Sequence, residues 1–195
     1  MKLFKPSLIS ENDIPIVIET AAAAAAVALT IGISETNIKN GLLNFKGVQR
    51  RFNKIFSYNK IDFYDDYAHH PTEIKGVLDG VSKVYRNFEK ICIFQPHRIT
   101  RLRDLRQEFS YSFKNADTIV LCPVYSAGEK IKLGFSYLNF AKEIIRNSKV
   151  KLFLIKDKNQ LAKFLKTNMY GKKIVIGMGA GSITNWMREL PKLMK

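Results

Sequence analysis

The chain has 195 residues, 46% of them hydrophobic, enough to build the core of one ordinary domain with an appendage. Its formal charge of +15 comes from 32 Lys and Arg against 17 Asp and Glu; these cations are spread along the chain, which reads as a solvated basic surface and argues against a nucleic-acid partner. No apolar run reaches the roughly 18 residues of a membrane span, and MKLFKPSLISENDIP lacks the apolar core and cleavage site of a secretory signal, so no membrane association is expected and the protein reads as cytoplasmic.

In chain order, a polar opening leads to an alanine-rich helix over 19–31, stopped by Gly32, and a second helix in SETNIKNGLLNF capped by Ser34. Two short helices bury little alone, so residues 1–45 read as an appendage that leaned on something larger. From residue 46 strands and helices alternate. NKIFSY and KIDFYDD are strands joined by a turn at Asn59-Lys60, and Ile74, Val77, Leu78, Val81 and Tyr85 mark a helical face. The strand KICIFQP follows, then a helical stripe of Leu102, Leu105, Phe109 and Phe113, the strand DTIVLCPVY, and a helix over 138–145. The strand VKLFLI, a helix over 161–165, the strand KKIVIGM and a last helix carrying Ile183, Trp186, Met187 and Leu190 complete the order. Cys92 and Cys122 lie in apolar strand-like runs and read as buried structural thiols. This pattern predicts an α/β fold, Rossmann-like, with a mostly parallel sheet and helices on both faces. Ligands of such sheets collect beyond the carboxyl ends of the strands.

Three loops at those ends are chemically unusual and are expected along one edge. In DDYAHHPTE, Pro71 suits a helix start and Glu73 its positive end, which leaves Asp65, Asp66, Tyr67, His69 and His70 at the rim. A carboxylate there could accept from ribose hydroxyls and the histidines could meet a phosphate; the alternative is that Asp66 caps the turn and the histidines satisfy backbone groups. In QPHRITR, Thr100 is placed to cap a helix, with Arg98 and Arg101 beside backbone N–H groups suited to phosphate or pyrophosphate. GMGAGSI either cradles phosphate or packs strand closely on helix, its spacing being short of a dinucleotide fingerprint. Arg50 and Arg51, at the junction of the two segments, could reach a phosphate or pair with surface acids.

FKGVQRRF, DDYAHHPTEI, FQPHRITR, PVYSAGEK and GMGAGSI, in that order, resemble the carboxyl-terminal domain of the peptidoglycan Mur ligases that join L-alanine to UDP-N-acetylmuramate. The resemblance implies an ATP-dependent reaction. The muramate carboxylate is phosphorylated, the alanine amine attacks the acyl phosphate, and ADP and phosphate leave. It implies a nucleotide-binding set of Arg51, Asp66 and Tyr67, a substrate-binding set of His69, Arg98 and Arg101, and a remnant of the central ATPase domain in residues 1–45 ahead of the carboxyl-terminal domain in 46–195.

The sequence departs from that family in having no G-x-x-x-x-G-K-[ST] phosphate loop. Ile16, Val17 and Thr20 stand where the resemblance places a His-Asn pair and a further Asn. The chain by itself is therefore expected to be inactive and to hold neither ATP nor Mg²⁺ independently. Its ligands, UDP-N-acetylmuramate and ATP, would meet it at a domain cleft, with a separate chain as the possible carrier of the other domains. A stand-alone nucleotide or UDP-sugar binding module is the alternative.

Overall fold

The computed structural model describes residues 14–45 and 49–195, with side chains from residue 21 onward. The chain divides into two compact units, Met1–Val48 and Gln49–Lys195. In the first, helix α1 (Ile14–Thr30) begins earlier than the alanine pattern implied. Gly32 takes φ +83°, the left-handed conformation that ends a helix without a Cβ penalty. Ser34 then caps α2 (Glu35–Asn44), its side chain accepting from the Asn37 amide. No residue of α2 is buried, and Val27, Leu29, Leu42 and Leu43 are exposed. The polar opening and the side chains of Ile16, Val17 and Thr20 lie outside the described residues.

The second unit opens with a hairpin of β1 (Asn53–Tyr58) and β2 (Ile61–Asp66). Its turn residues Asn59 and Lys60 both have positive φ, 50° and 64°, as a two-residue turn matched to strand twist requires. There follow α3 (Pro71–Val84), β3 (Glu89–Phe94), α4 (Ile99–Asp104), α5 (Arg106–Tyr111), β4 (Thr118–Leu121), α6 (Tyr137–Ser148), β5 (Lys151–Leu154), α7 (Lys158–Asn168), β6 (Lys173–Met178) and α8 (Ile183–Leu193). The sheet order is β1-β2-β6-β3-β4-β5, with only the β1–β2 pairing antiparallel.

Alternation along the strands sends side chains to two cores. Tyr64, Cys92, Phe94, Ile119, Leu121, Ile174 and Ile176 pack with Ile74 and Leu78 of α3, Phe109 of α5 and Phe140 and Ile144 of α6. Phe63, Ile91, Ile93, Val120 and Val175 pack on the other face with Leu161 and Leu165 of α7 and Met187 and Leu190 of α8. The expected α/β sheet with helices on both faces is what forms. Cys92 and Cys122 are free and buried; burial pushes the Cys122 thiol up to about 12 and Cys92 higher still, so neither is a thiolate at neutral pH.

One local expectation changes. The stripe from Leu102 to Phe113 is not one helix: the chain breaks at Leu105 (φ −110°, ψ 25°), although Leu102, Phe109 and Phe113 are still buried. The helix expected over 138–145 forms as α6, with Phe140, Ala141 and Ile144 as its buried face.

Candidate functional site

β6 lies between β2 and β3 and parallel to both. The last strand in the chain is thus central in the sheet, and the loops after β2, β6 and β3 form one continuous rim at their carboxyl ends. Hydrogen bonds tie them together: the Gly179 amide donates to the Asp66 carbonyl (3.3 Å) and the Gln95 amide to the Met178 carbonyl (3.0 Å).

On the β2 side, Asp66 is 3% exposed. Its Oδ2 accepts from the Phe52 amide (2.8 Å) and its Oδ1 from the Ala68 amide (2.7 Å). Burial raises its carboxyl above the usual range, against the pull of those two amides and of Arg51. Asp65, 2% exposed, accepts from the Thr184 hydroxyl at 3.1 Å. The turn-capping alternative for Asp66 therefore describes its geometry: the carboxylate fixes the backbone on both sides of it. Next to it, the guanidinium carbons of Arg50 and Arg51 lie 4.5 Å and 5.8 Å from the centroid of the Tyr67 ring, within cation–π range. Arg50 also donates to the Gly179 carbonyl (2.5 Å), and its Nε is buried without a partner among the described residues.

The adjacent histidines separate in role. His70 is the N-cap of α3, its Nδ1 accepting from the Thr72 amide (3.4 Å), while Glu73 Oε2 accepts from the amides of both His69 (3.0 Å) and His70 (3.2 Å). Burial alone would push the Glu73 carboxyl up, but these amides and the His69 charge hold it below the ordinary value. His69 Nδ1 faces two acceptors, the Tyr67 carbonyl (2.9 Å) and Glu73 Oε2 (3.3 Å). Nδ1 must therefore carry a proton, leaving Nε2 as the lone-pair nitrogen of the neutral ring.

Across the rim, an aromatic row runs Tyr67–His69–His97–Tyr125, with centroid separations of 4.9, 5.9 and 5.6 Å. His97 Nδ1 faces Arg101 Nη1 at 3.2 Å. A guanidinium can only donate, so this ring holds its lone pair at Nδ1 and its proton at Nε2. Burial, followed by the charges of Arg101, His69 and Arg98, keeps His97 below its ordinary value. His69 thus offers an acceptor and His97 a donor, with Arg98 exposed beside them and making no ion pair among the described residues.

Thr100 is not the cap of α4. Arg98 holds the N-cap position, and the helix amides are taken by Glu129, whose Oε2 accepts from Ile99 (2.6 Å) and Thr100 (3.1 Å) and whose Oε1 accepts from the Thr100 hydroxyl (2.6 Å). The N–H groups expected to await a phosphate are occupied by the protein's own carboxylate. Gly177 fits the close-packing alternative, since a Cβ there would sit 2.7 Å from Met187 Cγ of α8, and the glycines after it approach neighbouring loops. A Cβ at Gly179 would sit 2.7 Å from the Gln95 carbonyl, and one at Gly181 would sit 2.6 Å from Tyr125 Cγ. Buried Gln95 caps the loop's exit, its Oε1 accepting from the Ile183 amide at 2.9 Å. Of the expected residues, Arg51, Asp66, Tyr67, His69, Arg98 and Arg101 all reach this rim. His97, Tyr125, Gln95 and Glu129 were missed, although their motifs QPHRITR and PVYSAGEK mark the loops that carry them.

Residues 50–181 match the family described as Mur ligase, glutamate ligase domain. The chain belongs to that family. It is 66% identical over 177 residues to the UDP-N-acetylmuramate–L-alanine ligase of Pelagibacter ubique (strain HTCC1062), a match covering 91% of this chain and 38% of the relative. It is 41% identical to the ligase of that name from Bartonella bacilliformis, over 90% of this chain and 37% of the relative. Among solved structures, UDP-N-acetylmuramate–alanine ligase from Thermotoga maritima superposes with a TM-score of 0.67 at 25% identity, covering 88% of this chain and 36% of that one. The chain thus spans little more than a third of the length of these relatives. No described helix is long and apolar enough to cross a membrane.

Proposed function

We propose that the chain forms the carboxyl-terminal, ligand-closing part of an ATP-dependent UDP-N-acetylmuramate–L-alanine ligase of peptidoglycan-precursor synthesis. The rim carries this reading: two exposed guanidiniums, Arg51 and Arg98, stand beside a row of hydrogen-bonding rings on a domain of a ligase family. The reaction gathers anions, the nucleotide phosphates, the muramate carboxylate and the UDP pyrophosphate, so cations at a closing surface neutralise charge where it concentrates.

In this reading Arg51 and Tyr67 face the nucleotide, and Asp66 serves them by fixing the Phe52 and Ala68 backbone on either side. His69, Arg98 and Arg101 face the UDP-sugar, the two guanidiniums and His97 Nε2–H as donors and His69 Nε2 as an acceptor for a hydroxyl. These residues fit phosphates. No three acidic, His or Cys side chains converge among the described residues. Residues 1–45 are the end of the central domain, whose phosphate loop lies elsewhere in the ligase, on the same polypeptide or a separate one.

The test is an amide-ligase assay with ATP, UDP-N-acetylmuramate and L-alanine, on this chain alone and after mixing with a folded amino-terminal and central part. Activity only on mixing is expected. Silence in the mixture overturns the reading; UDP-sugar binding that persists then identifies a stand-alone binding module.

A further inference from the structure

Glu129 belongs to a loop, yet its carboxylate makes three hydrogen bonds to residues of α4 some thirty positions away. The segment it grips is strained. Arg98 has φ +69° and ψ 131°, a backbone conformation that residues with a Cβ rarely adopt. Around it the two loops are laced together: the Arg98 amide donates to the Tyr125 carbonyl (2.8 Å), the Tyr125 amide to the Pro96 carbonyl (2.8 Å), and His97 and Tyr125 form a parallel bridge with their rings stacked 11° from coplanar.

We propose that Glu129 is a positioning residue of the rim: by capping α4 from the loop between β4 and α6 it holds Arg98 in its strained conformation and keeps Tyr125 stacked on His97. The ring donor and the guanidinium are then presented to an anion in one fixed arrangement. Capping side chains normally lie at the helix start itself. Here the cap comes from the loop that also supplies the stacking ring, so the two loops move as one body. Glu129 is held below the ordinary carboxyl range, first by the Thr100 hydroxyl, and is therefore ionised at neutral pH.

The titration of His97, followed by NMR on the full chain, tests this apart from any ligase activity, so it stands or falls independently of the proposed function. The groups facing that ring are Arg101, His69, Arg98, Glu129 and the stacked Tyr125, and burial is the largest cause of its depression. If Glu129 positions the loop, Glu129→Ala uncovers His97 and its titration rises toward that of an ordinary histidine, in a spectrum that remains folded. If Glu129 acts only as a nearby negative charge, its removal lowers the His97 titration further. A fall or no change overturns the proposal.

Should Glu129→Ala fail to fold, Thr100→Val decides, since it deletes one of the three hydrogen bonds and keeps the carboxylate. A smaller rise in the same direction supports the proposal, and an unmoved or lowered titration refutes it. In a ligase reconstituted as above, Glu129→Ala raises KM for the UDP-sugar by about tenfold, the worth of one charge-assisted hydrogen bond, with a lesser change in kcat.

Discussion

The two edges of the sheet use charge in opposite ways. At the amino edge, cations and acids neutralise one another: Lys90, its side chain 13% exposed, pairs with Asp117 at 3.2 Å, and Lys173, 10% exposed, pairs with Glu89 at 2.5 Å. Asp117 also accepts from the Lys90 amide (2.7 Å); at the carboxyl edge such backbone contacts predominate, and neither Lys nor Arg pairs with the acids of the rim among the described residues. Asp66 holds the amides of Phe52 and Ala68, Glu73 those of His69 and His70, and Glu129 those of Ile99 and Thr100. Acids that shape loops leave Arg51 and Arg98 without ion pairs among the described residues. The edge proposed to face the ligands thus has carboxylates turned inward to backbone and guanidiniums turned out.

The largest contrast should come from glycines at the two ends of β6. Gly179, at the carboxyl edge, has φ +147°, and a Cβ there would meet the Gln95 carbonyl at 2.7 Å; Gly171, at the amino edge, has φ +79° with nothing within 4 Å. Gly179→Ala combines strain with a backbone clash and should cost about 4 kcal/mol in urea unfolding, whereas Gly171→Ala should cost about 1 kcal/mol. Equal losses would show that the rim is not the tightly packed edge.

Next in size are the acids. Asp66→Ala strips acceptors from two amides and should cost about 3 kcal/mol. Asp117→Ala removes a half-exposed partner of the Lys90 ammonium and one amide acceptor, and should cost about 1 kcal/mol. A mild Asp66→Ala would mean that water replaces the carboxylate, and the inward-turned acids would lose their structural role.

Function should divide along the same line. Arg98→Ala is expected to weaken UDP binding, read by titration calorimetry, by about tenfold or more while moving stability by less than about 0.5 kcal/mol. Lys90→Ala should do the reverse, slightly lowering stability and leaving UDP binding alone. Unfolding of Arg98→Ala would instead show that its strained backbone is structural.

The sequence made the sheet legible because alternation and helical stripes record burial directly: Phe63, Ile91, Ile93 and Val175 share one face, and Tyr64, Cys92, Phe94 and Ile176 the other. It also marked the rim, since Asp66, Tyr67, His69, Arg98 and Arg101 cluster in short loops after strands. What it did not reveal was pairing between loops. Nothing local shows that β6, last in the chain, inserts between β2 and β3, nor that Glu129 reaches α4 and displaces Thr100 as its cap. Those contacts follow from the crossover order of the sheet, and a capping residue thirty positions away leaves no periodic trace. The two histidines are equivalent in DDYAHHPTE; only the placement of Tyr67, Thr72 and His97 separates a helix cap from a ring whose Nε2 faces the rim.

The smallest expected effect is on pH dependence, and it isolates one ring. His97 is held below 6.5 first by burial and then by Arg101, His69 and Arg98, with Glu129 alone opposing. As pH falls, the unfolded chain binds this proton before the folded one does. The stability due to a neutral His97 is complete above the unfolded value and is lost as pH drops through the folded one. Glu73 and Glu129, both depressed from 4.5, are lost in the same sense but at lower pH. Asp65 and Asp66, raised by burial from 3.8, act oppositely, since the stability of their protonated forms is lost as pH rises through the folded value. The total curve therefore mixes signs, and the difference between wild type and His97→Gln is the informative quantity. Unfolding free energies measured from about pH 7 to about pH 5 should fall more steeply for wild type than for His97→Gln. Parallel curves would mean that the ring is open to water, and that the carboxyl edge lacks the enclosed donor array assigned to it.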